Sequence, residues 1–172
     1  MINSILPNNL IKGDKIALIS TARKIDVEKL EYVNKVLNSW GLEVIEGNNL
    51  RADHNQFSGT DEQRASDLQH AVNDNSIKAI LCFRGGYGTV RILDNVDYSN
   101  LIQHPKWICG YSDVTALHNY LNTACNLSSL HSTMPVNFET NTPESLETFR
   151  KALFGEKFNI TTGLSDHTIG NA

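Results

Sequence analysis

Lys106-Trp107-Ile108-Cys109-Gly110-Tyr111-Ser112-Asp113-Val114-Thr115 reads as a buried strand that turns sharply into a helix, with a serine at the turn. Working outward from it, apolar strands alternate with amphipathic helices. Lys15–Ser20, Leu42–Ile45, Lys78–Phe83 and Trp107–Tyr111 read as four strands, and Ser128–His131 as a weaker fifth. Between the first two, Val27, Leu30, Val33, Val36, Leu37 and Trp40 recur at three- and four-residue steps, the spacing of a helix face, and Gly41 stops the run. Thr60-Asp61-Glu62-Gln63 has the form of a capping box before Ala65, Leu68, Ala71 and Val72. A short helix bearing Val90, Ile92 and Leu93 is expected next, then one with Val114, Leu117, Tyr120 and Leu121. Thr142-Pro143-Glu144 opens a last helix, with proline at its first position. The expected fold class is α/β: a Rossmann- or flavodoxin-like, mostly parallel sheet with helices on both faces. In such sheets ligands bind beyond the C-terminal strand ends, where strand order reverses. The turns after Ser20, Phe83 and Tyr111 should open there.

At 172 residues the chain can bury one real core. With 40% hydrophobic and 20% charged residues it is globular rather than disordered. The net charge of −4 comes from interspersed acids and bases, so neither a nucleic-acid surface nor a membrane-binding cluster is expected. Met1–Pro7 has no basic start and no long apolar stretch, so no signal peptide is expected. Cys82, Cys109 and Cys125 are odd in number and form no C-x-x-C pair. That usage suits a reducing cytoplasm. No cofactor is expected, and no His, Asp or Glu set has metal-ligand spacing.

Ser112 has two readings. As a nucleophile it would sit on an elbow made tight by Gly110, and the N–H of Asp113 would stabilise an oxyanion. As a structural residue, Ser112 or Asp113 would cap the helix. Val114 stands where G-x-S-x-G has its second glycine. Gly85-Gly86-Tyr87-Gly88 can bring backbone N–H groups close to an anion or an oxyanion, or can be a tight turn only. Arg84, just before it, can hold a carboxylate or pair at the surface. Among the six histidines, His131 ends a strand near the same rim and is the one candidate base, although strand-end histidines also serve structure. His70 and His118 fall on helices and are expected to be exposed.

Three segments stand in order: Phe57–Ala65, Arg84–Asp94 and Gly110–Leu117. With Gly13-Asp14-Lys15-Ile16-Ala17, they resemble the N-terminal domain of the LD-carboxypeptidases over about Leu10 to His131. These are serine peptidases of murein recycling, grouped with the microcin C immunity peptidases. The resemblance implies that Ser112 attacks the amide before a terminal D-alanine, with the backbone N–H groups of Asp113 and Gly86 as oxyanion donors. Arg84, Gly85 and Tyr87 are then expected to contact substrate. It also implies a cytoplasmic, metal-independent and commonly dimeric enzyme acting on a murein-derived peptide. The alternatives are an immunity-type peptidase or a non-catalytic small-ligand domain. His131-Ser132-Thr133-Met134 departs from the family's His-Gly-Pro-Met. The family's triad Glu and His belong to a C-terminal domain. Residues 1–158 are therefore expected to be the nucleophile-bearing domain, and 159–172 a linker stub with an extra strand at Phe158–Gly163. Alone, this portion is expected to be nearly inactive.

Overall fold

The computed structural model describes residues 4–159. Five strands form one sheet there: β1 (Lys15–Ile19), β2 (Glu43–Glu46), β3 (Ile77–Cys82), β4 (Trp107–Gly110) and β5 (Leu130–His131). All neighbours pair in parallel, in the order β2-β1-β3-β4-β5. The helices are α1 (Lys29–Ser39), α2 (Asp61–Asn73), α3 (Ser99–Gln103), α4 (Thr115–Cys125) and α5 (Pro143–Phe154). The expected α/β architecture is present.

Side chains of a strand point to alternate faces, and here both faces are covered. Ile16, Leu18, Ala79, Leu81 and Cys109 pack with Leu30, Val33 and Leu37 of α1 and Phe149 and Leu153 of α5. Ala17, Ile19, Ile80, Cys82 and Ile108 pack on the other side with Leu68 and Val72 of α2, Leu101 of α3, and Leu117 and Leu121 of α4. Each fully buried Val, Leu, Ile or Phe among them contributes roughly 1.5–3 kcal/mol against the entropy of ordering the chain.

Helix starts follow their sequence signals. Thr60 Oγ1 accepts from the Gln63 N–H at 3.3 Å, and Gln63 Oε1 accepts from the Thr60 N–H at 2.9 Å. Thr142 Oγ1 accepts from the Ser145 N–H at 3.2 Å, with Pro143 in the first helical position. Strand order reverses between β1 and β3. The loops leaving these strands touch there, with Arg23 N–H donating to the Gly85 carbonyl at 3.4 Å.

Several local expectations change. The first helix starts at Lys29, and Val27 is exposed, because Asp26 and Val27 supply carbonyls to a preceding turn. The segment after the glycine loop is helical only in 3₁₀ form, with no α-helical turn. It forms two 3₁₀ segments, Thr89–Arg91 and Leu93–Asn95, joined at Ile92; Ile92 and Leu93 are buried side by side while Val90 is exposed. Helix α3 was not signalled by the apolar pattern. The expected Phe158–Gly163 strand and the 159–172 stub lie outside the described residues from Ile160 onward. Among the described residues, no helix is long and apolar enough to cross a membrane.

Candidate active site

Strand β4 ends in the core at Gly110, whose φ is +157°. A Cβ there would stand 2.9 Å from Val114 Cγ1, so the helix start packs directly onto the strand end. Tyr111 is extended, and its hydroxyl donates to Asn137 Oδ1 at 2.9 Å. Ser112 then takes φ +59° and is exposed at the rim. A residue with a Cβ loses roughly 1–2 kcal/mol in this left-handed conformation, which glycine adopts freely. The fold holds a serine there, at the first residue of a 3₁₀ turn (Ser112–Val114) that runs into α4.

The capping reading fails on geometry. No side chain caps the 3₁₀ turn or α4. The Asp113 carboxylate instead turns back to the glycine loop, where Oδ2 accepts from the Thr89 N–H at 3.0 Å. Among the described residues, no imidazole or carboxylate hydrogen-bonds Ser112 Oγ.

The glycine loop lies against the elbow. A Cβ on Gly85 would stand 3.4 Å from Asp113 N, so the absence of a side chain leaves that amide approachable. Gly86 has φ +114°, and the Arg23 side chain covers the place a Cβ would take, 2.6 Å from Cδ. Behind the loop is a buried polar brace. Thr21 and Thr89 hydroxyls bond at 2.8 Å. Arg64, 1% exposed, donates from Nε to the Thr21 carbonyl at 3.1 Å and from Nη1 to the Gly59 carbonyl at 2.7 Å. It also pairs with Asp61 and lies 4.6 Å from the Phe57 ring centroid. A hydrogen bond from Arg91, with Arg64 alongside, holds the Asp61 carboxyl below its usual range despite some burial.

The other expected site residues take these positions. Arg84 donates weakly from Nη1 to the Lys24 carbonyl at 3.3 Å and lies 4.0 Å from Asp26. Tyr87 is 47% exposed and rests against Phe57 at 6.4 Å between ring centroids. His131 is exposed on β5 opposite Gly110, with its ring 6.3 Å from that of Tyr111. It shares the rim without bonding Ser112. An open hollow of about 380 Å³ on this rim is lined by Tyr111, His131, Ser132, Thr133, Asn137 and Asn141. Ser132, one of the departures from the family pattern, donates its N–H to the Gly110 carbonyl at 3.0 Å. The Cys82 thiol is buried and pushed up to about 12 by desolvation, so it stays protonated and inert.

His118 is not exposed. It sits one residue after Leu117 and three before Leu121, on the buried face of α4, at 8% exposure. Nε2 lies 3.0 Å from the Gly110 carbonyl and Nδ1 lies 2.8 Å from Ser129 Oγ. Burial is the main cause lowering its pKa, the nearby His131 adds to it, and the Gly110 bond opposes it. The unfolded chain therefore takes up this proton first. The stability held at this site is complete above about 6.5 and falls as pH drops through the lower folded value. Thermal melts from neutral to mildly acidic pH should show that loss, and His118→Gln should flatten it. An unchanged slope in His118→Gln would rule out His118 as its source.

The sequence profile of the LD-carboxypeptidase N-terminal domain matches residues 16–132. A Bacillus subtilis protein named "Probable murein peptide carboxypeptidase" is 33% identical over 165 residues, 94% of this chain and 52% of its own length. The murein tetrapeptide carboxypeptidase of Pseudomonas aeruginosa is 34% identical over 104 residues, 60% of this chain and 34% of its own. Among solved structures, an MccF-like protein from Bacillus anthracis superposes with a TM-score of 0.81 at 29% identity, covering 87% of this chain and 47% of that one. The chain thus spans about half the length of the curated relatives it matches.

Proposed function

This chain belongs to the LD-carboxypeptidase family, and from that premise we propose that Ser112 is the nucleophile of a serine peptidase that releases terminal D-alanine from murein tetrapeptide. The observation that carries the reading is the exposed Ser112 at φ +59°, on a strand-to-helix elbow where its hydroxyl serves no cap. That backbone lifts Oγ clear of the chain at a helix entrance. Ser112 Oγ bonds to the amide carbon, and its proton passes to a base. The N–H groups of Asp113 and Gly86 donate to the oxyanion. The C–N bond then breaks, the D-alanine nitrogen takes the proton, and water cleaves the Ser112 ester. The base is assigned to the C-terminal domain that the family resemblance implies, consistent with a Ser112 that no base within residues 4–159 contacts. Residues 1–172 alone should therefore turn over substrate far more slowly than a protein carrying both domains. Free, buried thiols suit a cytoplasmic setting, where murein fragments are recycled.

The test is D-alanine release when the complete protein meets murein tetrapeptide. No release, with cleavage of an aminoacyl-nucleotide instead, would move the substrate to the immunity-type class. The glycine loop gives a sharper check. Gly85→Ala needs no unusual φ and meets only ordinary contacts, so melting should change little. Its methyl would stand 3.4 Å from Asp113 N and obstruct the approach of an oxyanion to that N–H, and kcat should fall about 10²-fold. Full activity in Gly85→Ala would remove Asp113 N–H from the mechanism.

A further inference from the structure

We infer that His118 is a positioning residue for the nucleophile elbow, tying the helix after Ser112 back to the strand before it. This rests on the reading of Ser112 above. A carbonyl oxygen only accepts, so the 3.0 Å contact fixes the proton on His118 Nε2, donating to Gly110. In the neutral ring Nδ1 is then the acceptor, and the Ser129 hydroxyl donates to it at 2.8 Å. The Gly110 carbonyl takes a second bond, from the Ser132 N–H at 3.0 Å. Two donors from two directions set the plane of the Gly110–Tyr111 peptide, one residue before the left-handed Ser112.

The device is local to the elbow. Residues 110 and 118 lie on opposite arms of the turn, and the imidazole spans them with a rigid ring. The arms are also wedged by Gly110 against Val114, where no Cβ fits. Contact at that wedge sets how closely the arms approach; the imidazole bond sets how the peptide is rotated. Rotation matters more for catalysis, because it decides where Ser112 Oγ points relative to the Asp113 N–H. No polar atom of His118 faces the rim, since both ring nitrogens are engaged beneath it. It therefore acts through Gly110 rather than on substrate.

The complete protein carrying His118→Leu or His118→Gln tests this with two readouts. Gln keeps an N–H near the Nε2 position; Leu keeps bulk without a donor. The first readout is the amide NMR signals of Tyr111 and Ser112. The second is the rate at which a serine-directed fluorophosphonate modifies Ser112. His118→Leu should move both signals and slow modification at least tenfold, while His118→Gln stays near the parent in both. If His118→Leu does not fold, Ser129→Ala replaces it, with a smaller shift in the same direction expected. Unmoved Tyr111 and Ser112 signals, or a parental modification rate in folded His118→Leu, would overturn the inference. A parent protein that the probe does not modify would count against the nucleophile reading instead, and the NMR signals alone would then decide the role of His118.

Discussion

Replacing Ser112 with alanine is expected to lower D-alanine release by the complete protein about 10⁴-fold or more, because no other group takes over a missing nucleophile. Stability should move the other way in a companion variant. Ser112→Gly removes a Cβ held at φ +59°, and should gain about 0.5–1 kcal/mol once the larger unfolded-state entropy of glycine is deducted. Loss of activity with gained stability is the signature of strain kept for function. A helix cap would give the reverse, with alanine costing about 1 kcal/mol and activity untouched. Urea melts and a D-alanine assay on the same two variants separate these outcomes.

The second large effect is at Arg64. Its guanidinium is enclosed and serves the Thr21 and Gly59 carbonyls and the Asp61 carboxylate together. Arg64→Ala leaves the Thr21 and Gly59 carbonyls facing a void, while Asp61 keeps Arg91, and should cost about 3–5 kcal/mol, a large share of the roughly 5–15 kcal/mol that holds a typical domain together. The urea midpoint should fall with little change in slope. Arg64→Lys should recover only part of the loss, because one ammonium cannot reach acceptors arranged around a planar fork. The damage should also reach the site, since Arg64 braces Thr21, Thr21 braces Thr89, and Thr89 holds Asp113. A loss below about 1 kcal/mol would place Arg64 among ordinary surface pairs.

The sheet was legible because strands covered on both faces carry continuous apolar runs, as at Ile16–Ile19 and Ala79–Cys82. Helix starts were legible wherever a side chain makes the cap, as at Thr60 and Thr142. Helix α3 was missed because five residues are too few for a period to show. The neighbouring Ile92 and Leu93 suggested a helix face, but adjacent buried residues fit a tight 3₁₀ turn equally well. Residue type alone suggests an exposed His118, and the structure buries it. Its spacing from Val114, Leu117 and Leu121 puts it on the buried face of α4, where position outweighs the polarity of the imidazole.

At the site, the serine and the two glycine positions stood out in sequence, and the resemblance linked them. What no local pattern carried was the left-handed backbone of Ser112. That conformation depends on Gly110 meeting Val114, on the two donors to the Gly110 carbonyl, and on Asp113 being drawn toward Thr89. The brace around Arg64 was hidden for a similar reason. Its partners Thr21 and Gly59 come from separate loops that meet only when the sheet has formed.

The most direct measurement is the position of a covalent adduct. The complete protein is treated with a serine-directed fluorophosphonate, digested and sequenced by mass spectrometry. One phosphonate per chain is expected, on Ser112, with D-alanine release lost in proportion to labelling. A phosphonate on another residue, or full loss of activity with Ser112 unmodified, would contradict it.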